Sequence, residues 1–104
     1  MNNTVESQLG LSLKDLAMIQ EALRQFPEID SAKVYGSRAK GTYKPGSDID
    51  LALYGSGVSL DTVFKLDTVL DDLLLPYQFD LSVYSGLKNL DLKEHIDRVG
   101  IRIL

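Results

Sequence analysis

Apolar residues recur along this chain at two different periods. Leu16, Ile19, Leu23 and Phe26 step by three or four residues, the spacing of one face of an α-helix. Ser12 with Asp15 three residues on gives that helix a weak form of the capping box, and Pro27 ends the pattern. A second stripe of Leu60, Val63, Leu66, Leu70, Leu73 and Leu74 follows Ser59 and closes at Pro76. It predicts a second long helix with that stripe as its core face. Elsewhere the period falls to two. "SAKVY" (31–35) is short, β-prone and stopped by Gly36, while "DIDLALY" (48–54) and "FDLSVY" (79–84) alternate cleanly. "SRAKGTYKPGS" leaves room for at most one helical turn before a Pro-Gly turn. "LKEHIDRV" reads as a last short helix and "IRIL" as a terminal strand or tail. The order helix, strand, strand, helix, strand, helix predicts an α+β fold, a mixed β-sheet with helices packed on one face. All 104 residues are expected to form one domain.

Two carboxylates interrupt the best of these strands. Side chains alternate across a strand, so Ile49, Leu51 and Leu53 share one face. Asp48, Asp50, Ala52 and Tyr54 share the other, with the two acids about 6.5–7 Å apart at their α-carbons. The 79–84 strand repeats the arrangement: Phe79, Leu81 and Val83 on one side, Asp80 and Ser82 opposite. If the strands pair with their apolar faces in register, Asp80 joins the other two acids. Three clustered anions raise one another's pKa values and favour a cation. Mg²⁺ takes oxygen ligands of this kind, and two such ions roughly 3.5–4 Å apart can support in-line attack at phosphorus.

A second group of residues points to an anion. Gly36 ends a strand, where the missing β-carbon lets backbone amides approach a phosphate closely, and Ser37 adds a hydroxyl donor. Arg38, Lys40 and Lys44 place three cations beside them in a chain of net charge −4, a local reversal that suits a triphosphate. That same net charge argues against general binding to nucleic-acid backbones. The chain has no cysteine, which excludes disulfides and thiolate metal sites. No signal-peptide pattern and no apolar run of membrane-spanning length is present, so a cytoplasmic protein is expected.

"GS", ten residues, then "DID", with a lone Asp in a later strand, resembles the polymerase-β-type nucleotidyltransferase superfamily. The wording "GSRAKG…SDIDLALYG" is most similar to its minimal nucleotidyltransferases, and the likeness spans roughly residues 12–104. The resemblance implies the palm-like nucleotidyltransferase fold, metal binding by Asp48 and Asp50, and activation of an incoming hydroxyl by Asp80, which also helps hold metal. It implies triphosphate binding by Gly36 and Ser37; Arg38, Lys40 and Ser47 beside them are expected as further nucleotide contacts. Two Mg²⁺ ions and ATP are the implied cofactor and substrate. Minimal members are commonly encoded with a HEPN-domain toxin and act as its antitoxin, at least some by transferring AMP to a toxin tyrosine. A HEPN-type toxin is therefore the expected partner, and self-association stays open.

Two functional readings are carried forward: a Mg²⁺-dependent nucleotidyltransferase, and a binding module that neutralises a partner without chemistry. Small-molecule transfer is disfavoured by the lack of an acceptor domain. Asp67, Asp71 and Asp72 are expected on a solvated helix face, and His95 at the surface without a partner. Tyr43 and Tyr54 flank the acids and are candidates to stack on a base.

Overall fold

A computed structural model describes residues 8–104. Ser12 caps the first helix, α1 (Leu13–Arg24), by accepting from the Asp15 N–H at 3.0 Å, as its position in the sequence predicts. The chain then forms β1 (Ser31–Tyr35), a single helical turn α2 (Gly36–Lys40) and β2 (Ile49–Tyr54). Helix α3 (Leu60–Asp71) opens with a reciprocal Ser59–Thr62 capping box, and the Thr62 hydroxyl also donates to Glu28 at 2.9 Å. Strand β3 (Phe79–Val83), a short 3-10 turn at Tyr84–Gly86, helix α4 (Leu90–Val99) and β4 (Ile101–Arg102) complete the described residues.

The four strands make one sheet in the order β3-β2-β1-β4. β1 runs antiparallel to β2 and to β4, while β2 and β3 are parallel and joined through α3. The sheet is therefore mixed, as expected. The terminal "IRIL" belongs to it: Ile101 pairs with Val34, and the Ile103 N–H donates to the Ala32 carbonyl at 2.9 Å.

Pairing keeps the apolar parity of every strand on one side. Ala32, Val34, Ile49, Leu51 and Leu53 are buried together against Leu16, Ile19, Ala22 and Leu23 of α1 and Leu66 and Leu70 of α3. The expected stripe of α3 reaches the core only in part, because the helix ends at Asp71 and not at Pro76. The chain reverses through Leu74 at φ 56°, which breaks the helical period. Leu74 is consequently 89% exposed, and Leu60, in the first turn, 70%. The two long helices share one face of the sheet. Helix α4 instead lies on the other, where Ile96 is buried with Tyr35 and Ala52 and flanked by Tyr54, Tyr84, Leu87 and Leu92. Ala52 is the small residue that gives Ile96 its seat. Among the described residues no helix is long and apolar enough to cross a membrane.

Candidate active site

Parallel pairing of β2 with β3 sets Asp50 directly opposite Asp80, and antiparallel pairing with β1 sets Tyr35 opposite Asp50. Directly opposed residues share a face, so Tyr35, Asp50 and Asp80 form a row across the second face of the sheet. Asp48 precedes β2 and is exposed, as is Asp80, whereas Asp50 is partly buried. Burial, then the charges of Asp80 and Asp48, push the Asp50 carboxyl up to about 6. The Tyr35 and Ser82 hydroxyls lie 3.2 Å apart, linking β1 to β3 across the acid-bearing strand. Burial raises the Tyr35 phenol, the Ser82 hydrogen bond offsets part of this, and the charges of Asp80 and Asp50 raise it further.

Gly36 stands between β1 and α2 at φ +73°, in the left-handed region. A β-carbon there would also overlap the Asp50 carboxylate. Two independent reasons thus demand glycine, and the turn carrying Ser37 lies directly against the acid row. The Gly36 N–H donates to Nε2 of His95 at 3.1 Å, and the His95 ring meets Tyr35 edge-on at 6.1 Å between centroids. His95 is therefore part of this neighbourhood, contrary to the expectation of a partnerless surface residue. Its sequence signal was slight: it precedes Ile96, whose burial turns that part of α4 toward the sheet.

Two of the expected nucleotide contacts have other work. Arg38 is 1% exposed. Its guanidinium donates to the Leu9 carbonyl at 2.9 Å and to the Ser47 carbonyl at 3.0 and 3.2 Å, with a longer contact to Gly10. The rings of Tyr43 and Tyr77 flank it at 5.2 and 4.8 Å. Arg38 thus clasps three chain segments and does not present a free cation to a phosphate, since the carbonyls around it satisfy its donors. The Ser47 hydroxyl accepts from the Lys44 N–H at 2.7 Å and so closes the Lys44–Ser47 turn. Lys40 is exposed at the end of α2. Tyr43 is held against Arg38, and Tyr54 stacks on Tyr84 with centroids 4.7 Å apart, so protein partners occupy both rings. Asp67, Asp71 and Asp72 are exposed on and just after α3, on the other side of the sheet.

Among the described residues no three His, Asp or Glu side chains converge as a ready-made metal cage. The donor set nevertheless fits Mg²⁺, which is usually held by one or two carboxylates together with substrate phosphates and waters. Burial first, and then the charges of Asp80 and Asp48, disfavour the ionised Asp50 carboxylate, and a bound cation would favour it.

Residues 17–104 match the sequence profile of the family described as polymerase beta nucleotidyltransferase. No curated protein matches the chain by sequence. Several solved structures share its fold. One is a toxin–antitoxin with AMP-PNP, 22% identical over 86% of this chain and 72% of that one, with a TM-score of 0.71. A second is a tri-AMPylated HEPN toxin of Shewanella oneidensis in complex with MNT antitoxin, 18% identical over 88% and 70% at a TM-score of 0.66. A third, described as a minimal nucleotidyltransferase, is 24% identical over 97% and 98% at 0.61.

Proposed function

The chain belongs to the polymerase beta nucleotidyltransferase family, and from that premise we propose that it transfers AMP from ATP to a tyrosine hydroxyl of a HEPN-type toxin. On this reading it is that toxin's antitoxin. The observation that carries the chemistry is the register of Asp50 against Asp80, with the Gly36–Ser37 turn packed on Asp50. The choice of a HEPN toxin as partner and AMP acceptor is supported by the shared fold of an MNT antitoxin bound to a tri-AMPylated HEPN toxin, and the choice of tyrosine by the resemblance of the sequence to minimal nucleotidyltransferases. The choice of nucleotide is supported by the likeness to a toxin–antitoxin with AMP-PNP.

The Gly36–Ser37 turn and the Ser37 hydroxyl bind the triphosphate, with exposed Lys40 adding positive charge. Asp48, Asp50 and Asp80 are the groups that would hold Mg²⁺, two ions in all. Bound there, Mg²⁺ neutralises phosphate charge and makes the α-phosphorus more electrophilic. Asp80, exposed and opposite Asp50, orients the acceptor hydroxyl and takes its proton as the oxygen–phosphorus bond forms and pyrophosphate leaves. Most of the rate gain comes from positioning and charge neutralisation.

The decisive experiment incubates the chain with labelled ATP, Mg²⁺ and the protein product of the neighbouring gene. Label on a tyrosine of that partner is the expected result. Tight binding without label would instead make the chain a non-catalytic neutralising module.

A further inference from the structure

We infer that His95 is a positioning residue for the nucleotide: its Nε2 holds the Gly36 amide, and so fixes the turn that receives the triphosphate. The inference rests on the nucleotidyltransfer reading and assigns part of the binding site to the C-terminal helix.

Three observations carry it. The Gly36 N–H donates to His95 Nε2 at 3.1 Å across 59 residues of sequence. As an acceptor, Nε2 carries no proton, which places the ring proton of the neutral imidazole on Nδ1. Second, the ring is not free to wander. It lies edge-on to Tyr35, whose side chain is buried, and it precedes Ile96, which is fully buried under the sheet. The Gly100 N–H closes α4 on the Ile96 carbonyl at 2.8 Å, and the next residue enters β4. Third, Gly36 sits where a side chain has no room. Its φ of +73° is one of several that glycine alone adopts readily, and its α-carbon abuts the Asp50 carboxylate. An anchored amide at that point fixes the Tyr35–Gly36 peptide plane, the platform from which Gly36 turns the chain into Ser37.

The backbone at Gly36 is therefore held from two directions. Asp50 limits it on the side of the acid row, and His95 holds its N–H from α4. Without the acceptor Gly36, which has no β-carbon to restrict its backbone, can sample other turns before nucleotide arrives, and affinity falls by the fraction of time spent in them.

The test uses the full chain labelled with ¹⁵N, with Mg²⁺-ATP as the probe, and the variants His95→Phe and His95→Gln. Phenylalanine keeps a ring against Tyr35 but removes the acceptor, whereas the Gln side-chain oxygen can take the place of Nε2. The wild type should show scalar coupling between the Gly36 amide nitrogen and His95 Nε2 through the hydrogen bond. Loss of one such bond predicts an Mg²⁺-ATP dissociation constant about tenfold higher in His95→Phe, with His95→Gln restored to within about threefold of wild type. Missing coupling overturns the inference, as does wild-type affinity in His95→Phe. Equal losses in both variants would overturn it too, since ring packing and not the acceptor would then matter. A wild type that shows the coupling yet binds no Mg²⁺-ATP overturns the nucleotide reading itself, and the inference with it.

Discussion

The two faces of this sheet are built from alternate residues of the same strands, yet they obey opposite rules. On one face Ile49, Leu51 and Leu53 meet α1 and α3 and are wholly buried. On the other, Asp50 faces Asp80 and only the neighbouring ground at Ala52, Tyr35 and Ile96 is dry. The first face supplies most of the buried apolar surface. The second uses part of the resulting stability to hold carboxylates together, at a spacing that would relax if the strands were free to move. The core and the candidate site are thus separated by a period of two along one strand.

That separation can be broken most directly at Asp80. Asp80→Asn should reduce AMP transfer by about 10²–10⁴-fold, the usual contribution of a general base. The melting temperature without ligand should be unchanged or slightly higher, because one repulsive charge is gone. Transfer at the wild-type rate would remove Asp80 from the mechanism. On the neighbouring strand, one residue past Asp50 and on the opposite face, Leu51→Ala is expected to do the reverse. It should cost about 3 kcal/mol of stability by urea titration, while the folded fraction keeps its affinity for Mg²⁺-ATP.

Arg38→Ala should also act on the fold and not on the nucleotide. It leaves the Leu9 and Ser47 carbonyls without their buried donor, a loss of about 2 kcal/mol. Nucleotide affinity of the folded protein should move by less than about twofold, and a larger change would return Arg38 to the phosphate site. A smaller effect is expected from Asp48→Asn. Mg²⁺-ATP at ten times its dissociation constant stabilises the native state by about 1.4 kcal/mol, a melting shift of several degrees in a domain of this size. The wild type should show that shift and Asp48→Asn should lose most of it, although without ligand the variant is at least as stable.

The smallest effect is a pH dependence. The Asp50 carboxyl is raised to about 6 in the fold, against about 3.9 in an unfolded chain. The native state therefore binds this proton more tightly, and stability from this group is greatest below about pH 4. It declines as pH rises to 6 and stays low above that. Asp50 is only partly buried, so solvent screening reduces the effect to about 1 kcal/mol. Melts of the metal-free wild type and Asp50→Asn between pH 4 and 7 should diverge in that window. Parallel curves would show that Asp50 ionises as an ordinary surface acid.

The strands were legible in the sequence because alternation is a local signal. The parity of 48–54 and 79–84 placed Asp50 and Asp80 on one face, and the pairing brings them opposite each other. The sequence was silent where a residue's role depends on chain that arrives later or from the other end. Arg38 reads as a loop cation until Leu9, Gly10, Ser47 and Tyr77 close around it. His95 reads as one more polar residue of a charged helix until Ile96 turns that helix onto the sheet. The stripe of α3 misled in a different way. Its leucines continue past the helix, and the left-handed turn at Leu74 takes the last of them into water.

The parallel alignment of β2 with β3 has a consequence for how the chain finds its fold. Which residue of β3 settles beside Asp50 is decided by which side chains reach the core, because a strand can also dock one place out of step. A shift of one residue would turn Asp80 toward Leu51 and Leu66 and send Leu81 outward. Stranding a carboxylate in that interior costs several kcal/mol, comparable with the whole margin of a small domain. An acid that sits in water in the finished sheet therefore makes each adjacent misalignment costly, and a residue of the candidate site doubles as the proofreader of its assembly.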